Sequence, residues 1–248
     1  MMIRLAALLL ACTGDKPGAD ADSDGPIDTV PSCGLTIAEQ PEIRGSDPLF
    51  PLSRAVTIAL SAPARLELTA TDETGEEVQW VSASAIAHDL PLVGLHGDGS
   101  WTLDVRAIDD AAVCSVDADP VAFTTDPLPS PLPGIDVLVA TPEAMAPGLT
   151  LVPIYTKDIA YIAYLDDAGR IVWLYGPTPD KFTEVRVLPS GNLLALTDID
   201  VTEIDAMGVV TVWASASSPT PGGIPVAIPS WHHDVLWSAR DTIVALSK

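Results

Sequence analysis

Leu165-Asp166-Asp167-Ala168-Gly169-Arg170-Ile171-Val172-Trp173 recurs as Ile204-Asp205-Ala206-Met207-Gly208-Val209-Val210-Thr211-Val212-Trp213, with the leading Asp residues 39 positions apart. Each copy reads as a strand, an Asp-x-x-Gly turn and a second strand ending in Trp. A second pattern recurs beside it. Val187-Leu188-Pro189-Ser190-Gly191-Asn192-Leu193-Leu194-Ala195-Leu196 is echoed by Val235-Leu236-Trp237-Ser238-Ala239-Arg240-Asp241-Thr242-Ile243-Val244-Ala245-Leu246. Two hairpins in roughly 40 to 50 residues supply the four strands of a β-propeller blade. A single blade cannot bury both of its faces, so blades stack. Residues 140–248 number 109, about two and a half blades at this period, whereas even a small closed propeller needs about four. The expectation is an incomplete propeller over 135–248, a fragment whose last residues, Ala245 to Lys248, lie in or just after a strand.

Upstream the texture differs. From Cys33 to Thr125 short alternating apolar runs are separated by turn signals. They include Ala55–Leu60, Arg65–Thr69, Val78–Val81, Trp101–Ile108 and Val121–Thr124, punctuated by Gly75, Pro91 and Gly97-Asp98-Gly99. A period of two over about seven short strands predicts an immunoglobulin or fibronectin-like β-sandwich across 33–126. His88 and His96 stand alone in loop-like contexts and read as surface or satisfied histidines. Pro127, Pro129, Pro131 and Pro133 alternate with other residues before Gly134. Such a segment favours an extended, semi-rigid spacer, so 127–134 reads as the linker between two domains. The fold class is all-β.

The N-terminus reads as an address. Arg4 precedes the apolar run Leu5–Leu10, which is too short to span a bilayer. Leu9-Leu10-Ala11-Cys12 resembles the lipobox of bacterial lipoproteins, in which the Cys becomes the lipidated N-terminus. On that reading 1–12 is signal and lipobox. Thr13, rather than Asp, after the Cys favours outer-membrane retention. Residues 13–32 form an acidic tether with little to bury. Within it Asp20-Ala21-Asp22-Ser23-Asp24-Gly25 imitates half of an EF-hand loop, but Pro31 stands where the bidentate Glu belongs. With Cys12 lipidated, Cys33 and Cys114 remain as a pair in an oxidising compartment, and the expectation is a disulfide that ties the first strand of the domain to one near its end; the alternative is two buried thiols.

Composition narrows the function. The chain has 248 residues, 34 acidic against 12 basic, for a net charge of -22. Without a run of Lys or Arg it is a poor partner for a phosphate backbone, so nucleic acid is excluded, and contact with a membrane is expected through the lipid alone. Hydrophobic residues make up 48% and charged ones 19%, which excludes wholesale disorder. The sequence contains no Gly-rich phosphate loop, no Gly-x-Ser-x-Gly elbow and no metal cluster, and no cofactor is expected.

Three stretches together resemble the bacterial arylsulfotransferases. Phe123-Thr124-Thr125-Asp126-Pro127-Leu128-Pro129 looks like the family's junction between its N-terminal β domain and its propeller. The Asp-x-x-Gly-x-Ile-Val-Trp turn followed by Leu-Pro-x-Gly-Asn looks like its early blades. Trp231-His232-His233-Asp234-Val235 looks like its first histidine motif. The resemblance covers about half the chain. It implies sulfuryl transfer from a phenolic sulfate ester to another phenol, through a histidine that attacks sulfur and then passes the group on. Imidazole suits that work near neutral pH, and cationic partners offset charge on the transferring oxygens. By resemblance His233 occupies the sulfate-contacting Trp-x-His position with His232 beside it, and these two are the candidate catalytic residues. Lys248 is the candidate substrate-binding residue, near a family arginine. The family's nucleophilic histidine falls in later blades and has no counterpart in these residues. The implied partners are small phenolic sulfates and phenols; the implied location is the bacterial cell envelope.

Read from the residues alone, a strand over 231–237 puts Trp231, His233, Val235 and Trp237 on one face and His232 on the other. Histidines pointing apart chelate a metal poorly. The bland alternative is a His233 buried and satisfied between Trp rings. At the level of function the alternative is a non-catalytic, lipid-anchored surface module that binds partners or carbohydrate.

Overall fold

A computed structural model describes residues 33–45, 47–139, 141, 144–216 and 220–247. Cys12, the tether and Lys248 lie outside the described residues. Within them the regular structure is all β: seventeen strands and no α-helix.

The first seven strands are β1 (Ile37–Arg44), β2 (Arg54–Asp72), β3 (Glu77–Val81), β4 (Ala85–Leu92), β5 (Ser100–Asp109), β6 (Ser115–Asp117) and β7 (Val121–Thr124). They form one hydrogen-bonded sheet that curls into a sandwich-like unit because β2, at 19 residues, serves both halves. Its first half pairs with β1 and β4, and its second half with β3 and β5. The alternation of the sequence suggests separate strands at 55–60 and 65–69; the structure fuses them. The intervening Ser61-Ala62-Pro63-Ala64 lacks a Gly or Asn to reverse the chain. Even-numbered residues keep facing inward through it, with Leu60, Ala64 and Leu66 all buried. Pro63, which has no N–H to give, sits where the β4 pairing breaks between Ala59 and Ala64. On β5 the alternation is unbroken: Trp101, Leu103, Val105 and Ala107 face the core. The structure bonds Cys33 to Cys114, with Cα atoms 5.4 Å apart, so the segment before β1 is tied to the β5–β6 turn.

The remaining strands form three antiparallel groups in chain order. β8 (Thr150–Tyr155), β9 (Ala160–Leu165) and β10 (Ile171–Thr178) make the first sheet. β11 (Glu184–Val187), β12 (Leu193–Leu196), β13 (Asp200–Ile204) and β14 (Val210–Ser215) make a four-stranded meander, with the short β15 (Ile224–Pro225) parallel to β14. β16 (Trp231–Trp237) and β17 (Ile243–Ser247) form a hairpin. The sheets pack face to face. Ala160, Ile162 and Trp173 meet Leu193, Ala195 and Ile204 in one core. Leu194, Leu196 and Val201 meet Trp231 and Val235 in the next. This explains Leu193-Leu194-Ala195-Leu196, a run without polar alternation, because β12 is buried on both faces.

The repeated Asp-x-x-Gly motif has one physical cause. Asp166 Oδ1 accepts the N–H groups of Ala168 and Arg170 while Gly169 N–H closes the turn on Asp166 O. Asp205 does the same for Met207, Val209 and Gly208. The glycines have φ of 77° and 78°, a left-handed conformation that side chains resist. A third copy, Asp72 to Glu76, lies in the sandwich-like unit. The Pro-rich linker does not hold the two units apart, for its Leu132 packs beside Tyr161 and Ala163.

Candidate functional site

The two candidate histidines sit on β16, and the strand does not run straight through them. Trp231 pairs with Ser247 and Val235 with Ala245, so three residues of β16 face a single residue of β17. This bulge is completed by Asp234 at φ 72°. Trp231 and Val235 point into the core while His233 and Asp234 are exposed and His232 is half-buried. Two expectations are corrected. His232 and His233 do not point apart: their rings meet edge to face with centroids 4.1 Å apart. Nor is His233 buried between Trp rings. The left-handed Asp234 breaks the two-residue period that both expectations assumed.

What holds the bulge lies in the neighbouring sheet. Arg186 on β11 donates from Nε to Val235 O and from Nη2 to Asp234 Oδ1, both at 3.0 Å. It also pairs with Glu184 at 3.2 Å. Trp231 is pinned on the other side, its backbone N–H to Asp198 O and its Nε1 to Ile199 O, each at 2.9 Å. Chemically, two touching imidazoles precede Asp234, whose carboxylate Arg186 binds, in a small polar cluster on an acidic protein. The guanidinium already faces two carboxylates, so its charge toward an added anion is largely offset. Arg186 was not singled out from the sequence. The available signal was a lone cation between valines, Val185-Arg186-Val187.

The nearest cavity lies elsewhere on the hairpin. An open, largely apolar groove of about 550 Å³ runs between the meander and the hairpin, lined by Trp213, Trp231 and Trp237 among others. Trp213 and Trp237 stand edge to face at 6.4 Å, and Trp213 Nε1 donates to Glu203. Neither His232 nor His233 lines this groove.

The other two histidines are satisfied within the sandwich-like unit. His88 lies buried on β4, with Nε2 3.1 Å from Ala85 O. His96 packs on Trp101 and pairs through Nε2 with Asp72 Oδ2 at 3.0 Å. Asp72, Glu76 and His96 offer ligand atoms within 4.8 Å of one another, a set that suits a cation in principle. Arg170, however, grips both oxygens of Glu76 at 2.6 and 2.7 Å and puts a fixed positive charge there. Burial opposes the Asp72 carboxylate. Hydrogen bonds from His96, Thr74 and the backbone of Glu76 outweigh burial and hold its pKa well below the usual range.

No protein-family model matches the chain, and no curated protein matches it. Among solved structures, a two-domain fibronectin type III segment of chicken tenascin is similar at 11% identity. That match covers 71% of this chain and 99% of the tenascin segment, with a TM-score of 0.24.

Proposed function

We propose that this chain is arylsulfotransferase-like, a protein of the bacterial cell envelope, lipid-anchored through Cys12. On this reading residues 33–126 are its Ig-like or fibronectin-like domain and the three stacked sheets are consecutive propeller blades. The observation that carries the proposal is the bulge in β16. It leaves His233 exposed and His232 half-buried at the Trp-x-His position, and Arg186 of the next sheet bonds the two residues that follow them, Asp234 and Val235. In that role His233 contacts a sulfate oxygen and His232 supports it. The chain contains four histidines. With His88 and His96 held in the other unit, none besides the pair is placed to act as the sulfur-attacking nucleophile. The chain alone therefore contributes a sulfate contact without turnover.

The test is to purify residues 13–248 and measure release of 4-nitrophenol from 4-nitrophenyl sulfate with phenol as acceptor. The expected result is no turnover, with weak ester binding that His233→Ala abolishes. Turnover lost in His233→Ala would make His233 the nucleophile. Binding indifferent to the mutation would remove the sulfate role. A second reading, a non-catalytic surface module, is favoured by the Trp-lined groove, whose rings suit a sugar or aromatic face. Ester binding unaffected by His233→Ala but lost in Trp213→Ala would support it.

A further inference from the structure

Leu49-Phe50-Pro51-Leu52, in the connection between β1 and β2, is where the sandwich-like unit meets the stacked sheets. Leu49 O accepts the N–H of Gly176 at 3.0 Å. Gly176 lies on β10, the edge strand of the first sheet, so the loop satisfies a backbone group that the edge leaves open. Phe50 and Leu52 then pass to opposite faces of that sheet. Phe50 enters the core between the first sheet and the meander, stacked on Tyr175 with ring centroids 5.1 Å apart. Its ring lies against Gly208, where any added Cβ would overlap it. Leu52 enters the core on the other face, among Tyr161, Ala163 and Leu174. Both side chains are almost fully buried, at 4% and 1% exposure.

A second contact lies beside the first. Glu76 and Arg170 each follow the glycine of an Asp-x-x-Gly turn, one in each unit. They meet as a two-pronged ion pair that Asp166 completes at 2.7 Å. The two turns are thus joined tip to tip.

Stacked repeats bury their inner faces on each other and leave the end ones exposed, which is why such arrays carry terminal caps. At the far end of this stack Leu236, Val244 and Leu246 remain 43%, 49% and 54% exposed. At the near end Tyr161, Ala163 and Leu174 are fully buried in a core that Leu52 completes together with Leu132 of the linker. We infer that the seven-stranded unit is the cap of the sheet stack. It supplies an edge partner, a plug for each face of the first sheet and an ionic clasp, and the first sheet and meander depend on it for their native packing. This inference concerns folding and is independent of the sulfate reading.

Hydrogen exchange on residues 13–248 tests it. Phe50→Ala, and separately Gly208→Ala from the opposite side of the contact, should speed amide exchange in β9, β10, β12 and β13 by about tenfold or more. β2 and β5 should keep their protection. Unchanged exchange in the sheets, for either variant, overturns the inference. So does a loss spread evenly over both units, which would make Phe50 an ordinary core residue of one indivisible domain.

Discussion

Asp72, Asp166 and Asp205 each organise a turn by accepting N–H groups from residues two and four positions on. Asp72 differs in being buried and in pairing with His96. Burial alone would raise its pKa, but the hydrogen bonds win and depress it. A folded pKa below the unfolded value, about 3.9, means the carboxylate stabilises the fold above that value. This contribution disappears as pH falls through the folded pKa. Asp72→Asn should therefore lower the melting temperature at pH 7, and the gap from the native protein should narrow below about pH 4. A gap of equal size at pH 7 and pH 3 would show that the charge has no part in it. The Asp-x-x-Gly turns could be read in the sequence because their logic is local. The orientation of His233 could not be. It follows from the positive φ of Asp234, which Arg186 holds from 48 positions away along the chain.

At the scale of elements, strand identity followed from alternation, while strand length and partners did not. β2 carries the same inward pattern from Arg54 to Asp72, and its one local mark near the change of partners, Pro63, does not say which strands lie on either side. The glycine turns show the same divide between local and distant causes. Gly75 and Gly208 have similar φ, 86° and 78°. Around Gly75 an added Cβ meets nothing, whereas at Gly208 it meets the Phe50 ring. Gly75→Ala should cost about 1–2 kcal/mol from backbone strain alone. Gly208→Ala adds an overlap in a packed core and should cost about 2–5 kcal/mol. Urea unfolding of the two variants separates the terms. Equal losses would mean that Phe50 yields freely and the contact between units is soft.

For the whole molecule, composition and periodicity suffice for an all-β chain in two stretches of different texture. They miss how the stretches join, because Phe50 and Gly208 stand 158 positions apart and Leu49-Phe50-Pro51-Leu52 resembles any turn with apolar residues. The Cys33–Cys114 bond acts at this largest scale. It closes a loop of 81 positions that contains most of the capping unit, Phe50, Leu52 and Glu76 included. In the chain-entropy account, constraining a loop of that size removes unfolded conformations. Losing the bridge should cost roughly 2 to 5 kcal/mol. If the unit caps the stack, the loss cannot stay local: loosening β1 and β5 loosens the loop that plugs the first sheet. Alkylation of the folded, exported protein without reductant should label neither Cys33 nor Cys114; labelling of both would reject the bridge. Reduction should then lower the melting of the capping unit and the sheets together, followed through Trp80 and Trp101 in one and Trp173 in the other. Sheets that melt unchanged after reduction would count against the cap, because loosening the unit would then leave the sheets it covers untouched.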